Sequence, residues 1–131
     1  MSEDSPNTKD APFEQSVCFF YTNKPKQTEH FYTEVLGLPL ALDQGACQIY
    51  QISSTGYVGF CTHREAANPE GVNVTLVIRQ VETVYEQLLN RGVQFEKPLS
   101  FNEQFQITNA FFRDPNGYLL EIQRFDDPRW A

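Results

Sequence analysis

The stretch Phe112-Arg113-Asp114-Pro115-Asn116-Gly117-Tyr118-Leu119-Leu120-Glu121-Ile122 decides the fold of this chain. It predicts two β-strands joined by a tight turn, because its proline suits the φ angle that begins such a turn and its glycine tolerates a positive φ. Side chains alternate along a strand, so Leu120 and Ile122 share one face and Glu121 stands on the other. The hairpin therefore places a carboxylate opposite the predicted core face.

A second informative segment, Phe31-Tyr32-Thr33-Glu34-Val35-Leu36-Gly37-Leu38, predicts the end of an amphipathic helix, with a glycine suited to ending it. Together the two segments resemble the vicinal oxygen chelate superfamily, which includes glyoxalase I, bleomycin-resistance proteins, fosfomycin-resistance enzymes and extradiol dioxygenases. The resemblance extends over about residues 13–124. It implies an α+β fold of two βαβββ modules curled around a cavity, usually in a homodimer.

The length of 131 residues favours one domain. We predict a disordered tail over residues 1–12 and a single domain over 13–131, with module one at about 13–66 and module two at about 70–128. The predicted elements of module one are strand 16–22, a helix from 23 to 37, and strands 38–42, 46–52 and 57–63. Those of module two are strand 72–78, helix 80–91, and strands 93–96, 105–113 and 118–125.

The net charge of −7 argues against nucleic acid and anionic membranes, which attract basic surfaces. Eleven Phe and six Tyr are enough to line a cavity as well as a core. The three cysteines, Cys18, Cys47 and Cys61, are an odd number without CxxC spacing, so we expect buried, reduced thiols and a cytoplasmic location. Cys61 and His63 share one strand face and could form a metal or nucleophile pair.

Metal-binding members of the superfamily take His, Glu or Gln ligands from the first and last strands of each module. By the resemblance, the four positions fall on Val17 (or Ser16 if the register shifts by one), Gly59, Asn73 and Glu121. Only Glu121 matches, and one carboxylate does not hold a transition metal against water. We therefore expect no bound metal and no other cofactor, with a divalent metal as the alternative.

Strand alternation also predicts which residues face the cavity and bind a ligand. They are Val17, Phe19, Tyr21, Gln48, Tyr50, Tyr57, Cys61, Asn73, Thr75 and Glu121. Aromatic faces mixed with a few polar groups are typical of small-molecule pockets. A carboxylate buried beside aromatic rings is expected to have a raised pKa or to bind a cation. Glu121 is therefore a candidate general base, or the partner of a cationic ligand that aromatic rings also attract.

The sequence thus predicts a homodimeric small-molecule-binding protein without a catalytic metal, similar to metal-free bleomycin-resistance proteins. The alternative is a metal-dependent glyoxalase-like lyase, isomerase or dioxygenase with atypical ligands; a structural or protein-interaction module has less support. We expect the helix end at 31–38 to pack near the dimer interface. We also expect Glu121→Gln to leave folding intact, because an uncompensated buried carboxylate destabilises the native state.

Overall fold

A computed structural model describes residues 11–66 and 68–130. Its elements in chain order are β1 (Ser16–Tyr21), α1 (Pro25–His30) with a π-helical continuation (Phe31–Val35), β2 (Leu40–Asp43), β3 (Cys47–Gln51), β4 (Gly56–Cys61), β5 (Asn73–Val77), α2 (Val81–Asn90), β6 (Lys97–Asn102), β7 (Ile107–Arg113) and β8 (Leu119–Phe125). Residues 1–10, which make up most of the predicted tail, lie outside the described part. Neither helix of the described part has the length and apolar character needed to cross a membrane.

The strands form two four-stranded sheets, one from each half of the chain. Their orders are β1-β4-β3-β2 in the first sheet and β5-β8-β7-β6 in the second. In each sheet the first strand of the module pairs in parallel with the last one, and the other pairs are antiparallel. A parallel pair requires a long crossover connection, of which the helix forms the first part. The prediction of two βαβββ modules in an α+β fold is confirmed.

The first helix widens before it ends. The Leu36 N–H donates to the carbonyl oxygen of Phe31 at 2.9 Å, which is the longer hydrogen-bond spacing of a π-helix. Gly37 follows at a φ of +78°, a conformation that residues with side chains rarely adopt. Tyr32 lies within this turn and is 2% exposed, so the widened segment delivers its ring to the core.

An aromatic cluster joins the two sheets. The Tyr32 ring lies 4.6 Å from the Phe60 ring of the first sheet. Next to it, the Phe31 ring lies 6.2 Å from the Phe112 ring of the second sheet. The end of the first helix therefore contacts the buried faces of both sheets, and the two modules share one core.

The carboxylate of Asp114 ties the hairpin of the second module to the helix of the first. It accepts hydrogen bonds from the backbone N–H groups of Asn116 (2.8 Å) and Tyr118 (2.9 Å), which shape the turn. It also accepts a hydrogen bond from the Tyr32 hydroxyl at 2.8 Å. Burial raises the pKa of Asp114, and these hydrogen bonds lower it in part. The two segments that carry the family resemblance are thus in direct contact.

Asn116 makes a second link between the modules. Its Oδ1 accepts a hydrogen bond from the Thr22 hydroxyl at 2.6 Å, and its Nδ2 donates to the Thr28 hydroxyl oxygen at 3.1 Å. Both threonines are buried. The hairpin therefore holds the modules together as well as reversing the chain.

The sixth strand is not where the sequence predicts it. We expected a strand at 93–96, whereas β6 spans Lys97–Asn102. Its Lys, Pro, Ser and Asn residues are poor strand formers, which weakens the sequence signal. The segment is nevertheless a strand because it forms the edge of the second sheet, where Pro98 is tolerated and where the pairing with β7 is irregular.

The Asp114 link leads to a stability prediction for Tyr32→Phe. Removing one donor from a buried carboxylate should lower the free energy of unfolding at neutral pH by about 1–3 kcal/mol. A folded-state pKa above the ordinary 3.8 gives stability that is present below 3.8 and lost as pH rises through the folded value. The substitution raises the pKa of Asp114 further, so the loss in free energy of unfolding relative to wild type should become smaller at acid pH.

Urea unfolding at neutral and acid pH measures this deficit. Tyr85→Phe is the control, because the Tyr85 ring packs on Phe95 instead. An equal deficit at both pH values would show that the Tyr32 hydroxyl does not act through the carboxylate of Asp114.

Candidate functional site

Glu121 lies on the face of the second sheet that points away from the core. Its neighbours Leu120 and Ile122 are core residues at 0% and 2% exposure, as the strand alternation predicts. In the sheet register, Glu121 stands beside Thr75 of β5 and Phe111 of β7. Although the face is open, Glu121 itself is only 4% exposed. Its charge must therefore be satisfied by the side chains that cover it.

Four side chains donate hydrogen bonds to this carboxylate. Oε1 accepts from Asn73 Nδ2 at 3.1 Å and from Thr75 Oγ1 at 2.8 Å. Oε2 accepts from Asn109 Nδ2 at 2.7 Å and from Gln123 Nε2 at 2.6 Å. With two donors on each oxygen, the lone pairs of Glu121 are occupied.

These contacts decide the ionisation of Glu121. Burial by itself raises the pKa, but the four hydrogen bonds outweigh burial and hold the pKa below the ordinary value of 4.5. The expectation of a raised pKa is therefore wrong, because the carboxylate has partners that the sequence did not reveal. A carboxylate with a lowered pKa is a weak base, so the geometry favours a fixed negative charge over proton abstraction.

A positive charge stands next to this network. Lys97 Nζ donates to Oδ1 and to the backbone oxygen of Asn109, both at 2.9 Å, and to Ser100 Oγ at 2.8 Å. Burial lowers the pKa of Lys97, and the charge of Glu121 raises it in part. Asn109 thus accepts from the ammonium group and donates to the carboxylate. Neither Lys97 nor Asn109 was among the predicted site residues; Gln123 shares the face of Glu121 by alternation and could have been included.

A cleft of about 370 Å³ lies between the first and last strands of module one and the first strand of module two. Three predicted site residues line it, namely Tyr57, Asn73 and Thr75. This volume is in the range of small-molecule pockets. Because Asn73 and Thr75 also hold Glu121, the cleft and the carboxylate network share two residues. The structure therefore brings together four of the predicted site residues: Tyr57, Asn73, Thr75 and Glu121.

The open face of the first sheet is apolar. The parallel pairing of β1 with β4 places five predicted site residues and Gly59 on this face. The five are Val17, Phe19, Tyr21, Tyr57 and Cys61. Phe19 is 47% exposed and Val17 is 38% exposed. A Cβ atom at Gly59 would lie 2.6 Å from ring carbons of Phe19. The Phe19 ring thus occupies the space where the resemblance places a metal-ligand side chain.

Two predicted residues lie on the opposite face of the first sheet. Tyr50 pairs with Val58 in the antiparallel register, and Gln48 pairs with Phe60; both partners are core residues. Tyr50 itself is 1% exposed. The prediction that Gln48 and Tyr50 face the cavity with the other candidates is wrong. The turn between β3 and β4 sets their register, and alternation within a single strand does not reveal it.

The residues at the four expected metal positions do not fit a divalent metal. Val17 has no donor atom, Gly59 has no side chain, and Asn73 directs its Nδ2 to Glu121. The fourth position is Glu121, and both of its oxygens are engaged. We derive no catalytic step through a metal at this place.

The cysteines differ from the prediction of three buried thiols. Cys47 and Cys61 form a disulfide between β3 and β4, and Cys18 is free and exposed. Within residues 11–66 and 68–130, the only group of three or more His, Cys, Asp and Glu side chains close enough to hold a metal is Cys47, Cys61 and His63. The sequence paired Cys61 with His63 but missed Cys47, which lies opposite Cys61 only in the sheet. The cytoplasmic location stays a prediction, against which a disulfide counts.

A family model described as the Glyoxalase/Bleomycin resistance protein/Dioxygenase superfamily matches residues 15–122. No curated protein matches the chain. Similar solved structures include TnmS3, an antibiotic binding protein from Streptomyces sp. CB03234, with 16% identity and a TM-score of 0.74 over 88% of this chain and 98% of that one. TioX from Micromonospora sp. ML1 has 18% identity and a TM-score of 0.74 over 85% and 98%. A glyoxalase/bleomycin resistance protein/dioxygenase from Nocardioides has 18% identity and a TM-score of 0.71 over 93% and 89%. At these identities the similarity shows the fold alone.

The network around Glu121 reverses the expectation for Glu121→Gln. The new amide group would face hydrogen-bond donors, so we expect the free energy of unfolding at neutral pH to fall by about 1–3 kcal/mol. A lowered folded-state pKa gives stability that is present above the ordinary 4.5 and lost as pH falls through the folded value. The difference in the free energy of unfolding between wild type and variant should therefore become smaller below pH 4.5.

Chemical denaturation across this pH range measures the gap, with Glu86→Gln on the exposed face of α2 as the control. A Glu121→Gln variant as stable as wild type at neutral pH would restore the original expectation that the carboxylate destabilises the fold.

Proposed function

Because the chain belongs to the glyoxalase/bleomycin resistance protein/dioxygenase superfamily, we propose that it binds a small organic molecule in the cleft between β1, β4 and β5. The proposed ligand is largely aromatic or apolar and carries a hydrogen-bond donor. Glu121 organises this site without a catalytic metal and without transferring a proton.

The fixed amide of Asn73 is the observation that carries this proposal. A carboxylate only accepts hydrogen bonds, so Asn73 must direct its Nδ2 to Glu121, which leaves its Oδ1 as an acceptor. Thr75 likewise gives its hydroxyl hydrogen to Glu121 and keeps lone pairs on its oxygen. Both side chains are exposed and line the cleft. Glu121 thus makes two acceptors available to a ligand that donates hydrogen bonds.

Apolar surface beside these acceptors supports an aromatic ligand. Phe20, Tyr57 and Val58 line the cleft together with the two acceptor side chains. Covering such surface stabilises a complex by roughly 25 cal/mol per Å² of apolar area. The description of TnmS3 as an antibiotic binding protein supports the ligand class at the level of a shared fold.

The alternatives fit these contacts less well. A cationic ligand finds no free oxygen on Glu121, and the ammonium group of Lys97 already stands beside the network. Proton abstraction by Glu121 is disfavoured by its lowered pKa. A metal-dependent lyase, isomerase or dioxygenase needs ligands that Val17 and Gly59 do not supply.

A homodimer stays part of the proposal. Apolar side chains on both sheets are exposed in the single chain, including Leu42 at 52% and Val77 at 56%, and a second copy could cover them. The helix end at 31–38 is used within the chain, where Phe31 packs on Phe112. The proposed interface therefore lies along exposed apolar side chains outside the cleft, such as Leu42 and Val77, instead of at the helix end.

Substitution of Tyr57 tests the position of the ligand site. A panel of aromatic natural-product antibiotics is screened by thermal shift, and the affinity of each hit is then measured by calorimetry. Tyr57→Ala should weaken binding by about 10- to 100-fold, because an aromatic side chain contributes about 1.5–3 kcal/mol on burial. Phe105→Ala is the control, since Phe105 is an exposed aromatic residue that does not line the cleft. Unchanged binding by Tyr57→Ala, or an equal loss in both variants, would contradict the assignment.

Metal analysis tests the non-metal part of the proposal. Protein purified in air without chelator should hold no stoichiometric Ni, Zn, Fe or Mn at Glu121, as measured by plasma mass spectrometry. About one equivalent that disappears in Glu121→Gln, together with turnover of a substrate, would overturn the binding proposal in favour of the enzyme. Metal that Glu121→Gln retains and Cys47→Ser loses belongs to a different site.

A further inference from the structure

A cluster of two sulfurs and an imidazole lies on the first sheet, apart from the Glu121 network on the second. Cys47 and Cys61 are direct partners in the β3–β4 register, with their Cα atoms 4.0 Å apart. His63 follows Cys61 by two residues, and its Nδ1 lies 3.9 Å from Cys47 Sγ. The three possible ligand atoms all lie within 4.8 Å of one another.

We propose that reduction of the Cys47–Cys61 disulfide converts this cluster into a binding site for a thiophilic divalent metal ion, with Zn²⁺ as the first candidate. A dithiol reductant transfers two electrons and two protons to the disulfide and becomes a disulfide itself. The two thiols then release their protons as both sulfurs bind the ion. The neutral imidazole of His63 is the third ligand, and water completes the coordination.

The spacing suits a tetrahedral zinc ion. Zn²⁺ binds sulfur at about 2.3 Å and imidazole nitrogen at about 2.0–2.1 Å. Ligands at these distances lie about 3.6 Å apart for a sulfur–nitrogen pair and about 3.8 Å apart for two sulfurs. The separation of 3.9 Å between Cys47 Sγ and His63 Nδ1 is already close to this value. Once the disulfide is broken, the sulfurs need only rotate apart on paired strands that keep their backbones in place.

The surroundings also favour a site that opens and closes. Cys61 is 2% exposed, which shields a bound thiolate from water. His63 is exposed and lies just beyond the end of β4, so its ring can adjust to an ion. The His63 and Tyr21 rings are nearly perpendicular, with 75° between their planes and 5.5 Å between their centres. A purely structural cross-link does not require an imidazole beside it, whereas a metal site with two cysteines needs further ligands, and imidazole is a common one.

The test compares oxidised and reduced forms of the full chain in a Cys18→Ser background. The protein is reduced with a phosphine under anaerobic conditions, the phosphine is removed, and Zn²⁺ is titrated by calorimetry. Co²⁺ is titrated in parallel, because sulfur-to-cobalt charge-transfer absorption reports thiolate ligation. We expect one equivalent of either ion in the reduced form and none at this site in the oxidised form.

Variants assign the ligands. Cys47→Ser, Cys61→Ser and His63→Gln should each weaken Zn²⁺ binding by more than about tenfold, since even outer contacts of metal sites contribute 10–100-fold. His30→Gln is the matched control, because His30 is the other histidine of the chain and lies exposed on α1. Circular dichroism of each reduced protein confirms that it remains folded.

Three results would overturn the proposal. They are no binding by the folded, reduced protein, equal binding before and after reduction, and unchanged binding after the thiols of the reduced protein are alkylated. If a cysteine variant fails to fold, the alkylation result and His63→Gln decide the question instead. These outcomes do not test the ligand site proposed around Asn73, whose acceptor groups belong to β5 of the second sheet.

Discussion

The buried carboxylate of Asp114 is the constraint on which the rest of the structure depends. A carboxylate that is 5% exposed destabilises a fold unless donors surround it, and here the donors come from both modules. The turn must close to supply the N–H of Tyr118, and the π-helical segment must form to supply the hydroxyl of Tyr32. Hairpin, helix end and module packing are therefore coupled through one charged group, and the position of β8 with Glu121 follows from that packing.

The two modules share an architecture, but the open faces of their sheets differ in chemical character. At corresponding strand positions, the second sheet has the hydrogen-bonded charge of Glu121, whereas the first has Gly59 beneath the ring of Phe19. The charge is satisfied within its own sheet by four partners, so it requires neither metal nor ligand. This division is the basis of the proposed binding site, in which apolar surface and oriented acceptors lie together without a metal.

Local patterns account for most of the fold and for part of the candidate site. The period of two along β8 assigned Glu121 and the core residue Leu120 to opposite faces, and the helical period located α2 within one residue at each end. The same patterns failed at β6, whose residues are poor strand formers and become a strand only by pairing at a sheet edge. They also misplaced Tyr50, because the relative register of two strands is set by the turn between them.

By itself the sequence determined the family, the order of elements, and the absence of matching side chains at three of the four expected metal positions. These follow from residue identity and short-range periodicity, which do not depend on distant contacts. Only the tertiary structure decided the state of the functional groups. The pKa of Glu121 depends on Asn73, Thr75 and Asn109, which reach it from other strands, and Cys47 meets Cys61 only when β3 pairs with β4. Neighbouring groups change the charge and reactivity of a side chain only when they lie within a few ångströms of it. Distance along the sequence does not measure that separation.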